Sequence, residues 1–204
     1  MDSHCPTATT VGDEELVSRL RAGDESAFVL LASRYQAAML RLASSFVSST
    51  AIAEEVVQDT WLAVLRGIDG FAGRSSFKTW LLAILVNRAR STGVRERRSL
   101  PIGDAGPAVD RSRFDVEGAW MSPPQHWVEE SDDRMLAEGV GETLGLALRR
   151  LPPRQQAVVM LRDIEGLGSE EVCDVLEISE GNQRVLLHRG RSRLRQSLEE
   201  SVRV

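Results

Sequence analysis

The 204-residue chain has one lysine, Lys78, among 25 basic residues, two cysteines, one tyrosine and only 5% aromatic residues. The arginine bias fits a GC-rich coding sequence. Cys5 and Cys173 lie far apart and make no disulfide framework. His4, His126 and His188 are scattered as well, which excludes the usual zinc spacings. No apolar run approaches the ~18 residues that span a bilayer; the longest is Trp80–Val86. The first residues carry Asp2, Asp13, Glu14 and Glu15 without an apolar segment, so no secretory leader is expected, and a reducing, cytoplasmic setting with no membrane insertion follows. There is no Gly-rich phosphate loop, no cluster of metal ligands, and no His-Cys-Asp or His-Ser-Asp set. Neither catalysis nor a cofactor or metal is expected.

Hydrophobic residues at 42% and charged residues at 27% describe a globular chain. Helical signals dominate and strand-like alternation is missing, which predicts an all-α protein. Residues 1–12 are small and polar and are expected to form a loose tail. Asp13 is placed to cap a first helix that Gly23 ends, and Asp24 to cap the next. Phe28, Leu31, Tyr35, Met39, Leu42 and Phe46 recur at steps of three and four along that second helix. Ser49 or Thr50 caps a third helix, with Ile52, Val56, Val64 and Ile68 on its core side. A fourth runs from about Ser76 through Arg90. Residues 99–130 read as a linker, since prolines and glycines break any regular element there and only Trp120 and Trp127 are large anchors. Those tryptophans fit either a linker lying on a surface or packing back on their own domain. Helical periodicity resumes in 131–204, with a break at Pro152 and Pro153 and a short helix over Arg154–Arg162. Two small helical domains, 13–98 and 131–204, are thus predicted.

The net charge of −5 would by itself argue against a nucleic-acid partner, but the charge is segregated. Arg184, Arg189, Arg191, Arg193 and Arg195 fall in a stretch with no acidic residue, and Arg88, Arg90, Arg95, Arg97 and Arg98 form a second basic cluster. Two basic helix ends, one in each half, make a bipartite electrostatic footprint, whereas a single arginine run is as well explained as a solvated face. Ser169–Leu176, Glu177-Ile178 and a helix from Glu180 have the spacing of a helix-turn-helix, with Val172, Val175, Ile178 and Val185 expected to close its core and Cys173 as a small core residue. In that motif the second helix presents its N-terminal residues to the major groove. Asn182, Gln183, Arg184 and His188 would face base edges, and Arg189 and Arg191 would suit phosphates.

The stretch from Leu151 to Leu167, with this helix-turn-helix and Gly181–Arg191, resembles the C-terminal domain of bacterial sigma factors of the extracytoplasmic-function (ECF) group. Ala53–Trp61 and Phe71–Leu81 resemble the second conserved region of the same group. The resemblance implies two domains, a sigma region 2-like bundle and a region 4-like helix-turn-helix, and core RNA polymerase and promoter DNA as partners. It places Glu55, Gln58, Asp59 and Leu62, at i, i+3, i+4 and i+7, on polymerase. It places Arg74, Ser75 and Ser76, with Gly73, in the loop that receives a flipped minus-ten base. Phe77, Lys78 and Trp80 stand beside that loop, and Asn87, Arg88 and Arg90 hold the duplex upstream. Phe77 and Trp80 fit either base stacking or the core. The recognition helix departs from the common Gly-Thr-Val-Lys-Ser-Arg pattern of the group, so the base preference at minus-thirty-five does not transfer. The group also implies an anti-sigma factor as partner. A different class, a stand-alone helix-turn-helix regulator, would use only the C-terminal domain and leaves Glu55–Leu62 and Gly73–Trp80 without a role.

Overall fold

A computed structural model of the chain describes residues 11–99 and 137–202, which form eight α-helices with no strand among them. Residues 1–10 of the predicted tail, residues 100–130 of the predicted linker with Trp120 and Trp127, and the start of the second domain at residues 131–136 lie outside the described residues; Val11 and Gly12 lead into the first helix, and Ser99 ends the fourth.

Helix α1 (Asp13–Arg21) begins on Gly12, not on Asp13. The Asp13 carboxylate instead accepts from the Tyr35 hydroxyl and from Arg34, tying α1 to the next helix. Burial, then the Asp13 carboxylate, pushes the Tyr35 phenol up. Gly23 turns the chain at φ +84°, and Asp24 caps α2 (Glu25–Ala43) by accepting from the Ser26 amide at 2.9 Å. The Ser26 and Arg19 side chains hold Asp24 down at about 2. Along α2, Ala27, Leu31, Tyr35, Met39 and Leu42 are buried, and Phe28 and Phe46 at the two ends of the predicted face are half-covered.

Ser49 caps α3 (Thr50–Gly67), whose buried face is Ala53, Val56, Val57, Thr60, Trp61 and Val64. A 3-10 turn (Ile68–Gly70) leads to the loop before α4 (Phe77–Ser99). The fourth helix runs nine residues past the predicted end at Arg90, through a buried Gly93.

Helix α5 (Ala137–Arg149) is followed by Pro152, and Pro153 opens α6 (Pro153–Val159) at its first position, where its missing N–H costs nothing. The predicted continuation to Arg162 is a π turn (Met160–Ile164), closed by the Glu165 amide donating to the Met160 carbonyl at 2.8 Å. Helix α7 (Ser169–Leu176) ends on Glu177 in the left-handed region, and α8 (Glu180–Val202) completes the helix-turn-helix. Gly190 lets α8 lie against α6, because a Cβ there would fall 2.6 Å from Val159 Cγ2. The two domains share one apolar core: α7 packs on α4, and Leu167, Val172 and Leu176 belong to the same cluster as Phe77, Leu81, Leu82 and Leu85.

Candidate nucleic-acid interface

Burial of the Val56–Val57–Thr60–Trp61 side of α3 leaves the opposite side to solvent. Glu55, Gln58, Asp59 and Leu62 all lie there, as the spacing predicts. Leu62 is 49% exposed and Leu65, one ridge position on, 43%. The sequence motif does not single out Leu65, although its spacing of three from Leu62 places it on the same ridge. Two neighbouring exposed leucines on a charged stripe suit a protein partner more than bulk solvent. Asp59 also stands 3.9 Å from Arg88 of α4, a loose and exposed pair.

The loop before α4 holds Gly73 at φ +68°, a conformation that favours glycine, and leaves Arg74, Ser75 and Ser76 exposed. Phe77 is only 3% exposed and belongs to the core, packed near Tyr35, Phe71 and Trp80 at centroid distances of 5.9–6.1 Å. Of the two open readings for Phe77, the core one holds. Trp80 is half-buried, and its ring lies 5.0 Å from that of Phe71, also half-buried. Sequence reasoning does not single out Phe71, which precedes the loop as one more member of the motif. The partly exposed aromatic rings beside the loop are therefore those of Phe71 and Trp80.

On α4, Asn87 is exposed and Arg88 and Arg90 are half-buried. Arg90 lies over the Phe46 ring at 5.8 Å, and its Nη2 donates to the Leu176 carbonyl at 2.7 Å. Desolvation lowers the pKa of its guanidinium. Lys78 is also engaged: its Nζ donates to the Glu165 carbonyl at 2.6 Å and pairs with Glu165 Oε2 at 2.9 Å. Two of the four cations expected at minus-ten, Lys78 and Arg90, thus lie against the C-terminal domain.

The recognition helix corrects two expectations. Gln183, expected at base edges, is 2% exposed and faces Ser169 of α7, whose hydroxyl donates to Gln183 Oε1 at 3.3 Å. Val185, expected in the core, is 46% exposed. The cause is register. The Ser179 hydroxyl accepts from the Asn182 amide and sets the first turn of α8, which aims position 183 back at α7 and position 185 outward. Asn182, Arg184 and His188 are exposed beside Val185. Arg184 pairs with Glu180 at 3.0 Å, an exposed contact one helical turn away. Arg189 is half-buried, and the Arg191 guanidinium forks the Asp163 carboxylate at 3.0 and 2.5 Å, which raises its pKa. Cys173 is half-buried and burial pushes its thiol up, in keeping with a packing role. Among the described residues no group of His, Cys, Asp or Glu could hold a metal, and no helix is long and apolar enough to cross a membrane.

Known proteins resemble this chain in sequence and in fold. Residues 31–99 match the family model Sigma-70 region 2, and residues 142–194 match Sigma-70, region 4. The ECF RNA polymerase sigma-E factor of Escherichia coli K12 is 30% identical over 191 residues, 94% of this chain and 96% of that protein. The RNA polymerase sigma-H factor of Pseudomonas aeruginosa matches over the same shares of each chain, also at 30% identity. Among solved structures, CnrH in complex with the cytosolic domain of CnrY has a TM-score of 0.57 at 23% identity, over 92% of this chain and 97% of that one. The sigma factor RpoE from Bartonella quintana, solved with the anti-sigma factor NepR, has a TM-score of 0.56 at 24% identity, over 84% and 96%. These two likenesses speak for the fold, and the identity across nearly the whole length of the curated relatives speaks for more: the chain belongs to the ECF sigma factors.

Proposed function

We propose that this chain binds core RNA polymerase through α3 and directs initiation at its promoters by melting the minus-ten element with the N-terminal domain and reading minus-thirty-five with α8. The observation that carries the reading is the Glu55–Gln58–Asp59–Leu62 stripe. It is exposed, mixed in polarity and extended by Leu65, on the one domain that also holds the serine-rich loop and its aromatic neighbours. Phe71 and Trp80 stack on unpaired bases, and Arg74, Ser75 and Ser76 line the loop beside them. Trapping bases already out of the helix offsets the few kcal/mol that unpairing costs. Asn87, Arg88 and Arg90 hold the upstream duplex once Arg90 leaves the Leu176 carbonyl. On α8, Asn182, Arg184 and His188 face bases, Val185 supplies an apolar contact suited to a thymine methyl, and Arg189 and Arg191 lie toward phosphates. Gln183 keeps its place in the core of the motif.

No bond is made or broken in this scheme, so the protein acts in the cytoplasm as a specificity subunit and not as an enzyme, and it needs no cofactor. The solved relatives held by CnrY and NepR support an anti-sigma factor as a further partner. Runoff transcription with core polymerase from a GC-rich bacterium and a pool of genomic promoter fragments tests the scheme. Start sites that require the protein and vanish with Gln58→Ala/Asp59→Ala are expected. Sequence-specific DNA binding without any polymerase-dependent start would transfer the protein to the stand-alone regulators.

A further inference from the structure

Four residues of the N-terminal domain reach polar atoms of the C-terminal domain through their side chains, and all four donate. Among the described residues, Arg41 donates to Glu165 Oε1 at 2.9 Å and Lys78 to the Glu165 carbonyl and carboxylate. The Thr79 hydroxyl donates to Glu171 Oε1 at 2.6 Å, and Arg90 donates to the Leu176 carbonyl. Every one of these donors belongs to the N-terminal domain and every acceptor to the C-terminal domain. The hydroxyl order follows. Thr79 spends its proton on Glu171, and the Ser76 oxygen accepts from the Thr79 amide at 3.1 Å, so at 2.7 Å the Ser76 hydroxyl donates to Thr79 Oγ1. The N-terminal domain thus presents three cations and a hydroxyl relay, and the atoms they donate to are carbonyl and carboxylate oxygens; Arg154 is a C-terminal cation near Arg90 but takes part in none of these contacts.

Ordinary domain interfaces mix donors and acceptors from both sides, because each partner carries both. A surface that only donates, with cations converging, fits a ligand that only accepts, and a nucleic-acid backbone is such a ligand. The position agrees. Lys78 and Thr79 follow the exposed Arg74–Ser76 loop after Phe77, and Arg41 reaches from α2 to the Glu165 carboxylate that Lys78 also meets. The Glu165 side chain is 9% exposed between its two cations, much as a bound phosphate would be.

We infer that Arg41, Lys78 and the Ser76–Thr79 hydroxyl pair form a phosphate cradle for the displaced minus-ten strand, and that Glu165 and Glu171 occupy it in the free chain. The inference rests on the reading of the adjacent loop as the minus-ten site and adds Arg41 and Thr79 to it. Strand and C-terminal domain then compete for one set of donors, so the free protein binds single strands weakly and must open to bind them well. If the closed form holds nine molecules in ten or more, its apparent affinity falls by about tenfold or more below that of the open form.

The test uses the full chain, a fluorescein-labelled single-stranded thymidine oligonucleotide and low ionic strength, with anisotropy for binding and small-angle scattering for opening. Glu165→Ala/Glu171→Gln removes both carboxylates and keeps an oxygen for the Gly168 amide, which donates to Glu171 at 2.8 Å and closes the first turn of α7. A larger radius of gyration with binding tighter by about tenfold is expected, and Arg41→Gln/Lys78→Gln in that background should abolish the gain. A chain that opens without binding more tightly, or a gain that survives loss of Arg41 and Lys78, would overturn the cradle. An unchanged radius with unchanged binding would overturn the competition. Because the assay contains no polymerase, its failure is separate from failure of the transcription experiment: start sites lost with Gln58→Ala/Asp59→Ala beside a negative anisotropy result would sink this inference alone.

Discussion

The two domains differ in what they are built from. The N-terminal one packs Phe28, Tyr35, Phe46, Trp61, Phe71, Phe77 and Trp80 within and around its core, whereas residues 137–202 contain no Phe, Tyr or Trp and close mainly on Leu, Val, Ala, Met and Ile178. Long α2, α3 and α4 surround the aromatic core; the aliphatic one is made by short α6 and α7 beneath α8. The difference matches the substrates proposed for them. Unpaired bases need flat faces to stack on, and aromatic side chains that partly surface beside a loop provide them. Duplex DNA needs a slender helix with donors and charge along one side, for which an aliphatic support is enough.

The largest effect is expected from Gly190→Ala. The added Cβ meets the short, stiff Val159 side chain, and α8 must move off α6 at a cost of about 1–3 kcal/mol. Hydrogen exchange should lose protection in residues 153–202 while α1–α3 keep theirs. Equal loss in both would show that the shared apolar seam makes the domains unfold as one. Next comes Phe71→Leu/Trp80→Leu. Stacking worth about 1–3 kcal/mol per base predicts initiation from duplex promoters lower by about tenfold or more, with a smaller defect on a template already unpaired at minus-ten. Equal defects on both templates would take melting away from the aromatic domain.

Arg184→Ala should relax preference at one base pair of minus-thirty-five by about 1–3 kcal/mol, to the same degree on either template. A smaller contrast separates neighbours on α8. Gln183→Ala should cost about 1 kcal/mol of stability with base preference intact, while Val185→Ala should leave stability within about 0.5 kcal/mol and shift the preference. The reverse outcome would restore the register first expected. The smallest effect concerns acid. The Thr79 hydroxyl, then the Gly168 amide, hold the Glu171 carboxyl below the usual glutamate range, with Ser76 and the Lys78 charge also facing it. A lowered folded-state pKa stabilises the contact above the ordinary glutamate value and withdraws that support as pH falls through the lowered one. Scattering should therefore show no change in domain contact near neutral pH and loosening only in acid.

Local signals make much of this legible in the sequence. Asp24, Ser49 and Gly23 mark helix ends through bonds to residues within a few positions, and the α3 stripe follows from helical spacing alone. The fourth helix, expected to end about Arg90, runs on through Gly93, which is buried inside α4, because packing outweighs the intrinsic preference of glycine. Position 183 carries an amide and 185 a valine, so polarity assigns them the wrong sides; the Ser179 cap and the Ser169 hydroxyl decide the register instead. The contact of Lys78 with Glu165 spans 87 positions, and nothing near either residue announces it.

Lys78 has one more consequence. As the chain's single lysine, it is the only side-chain amine that an acylating reagent can find. In the structure that amine is held between a carbonyl and a carboxylate of Glu165, a setting that engages its N–H groups and hinders approach to it. Separation of the domains would free it. The wild-type protein therefore carries its own chemical stopwatch: the speed at which one amine is labelled, read as a single mass increment on one peptide, reports how often the molecule stands open.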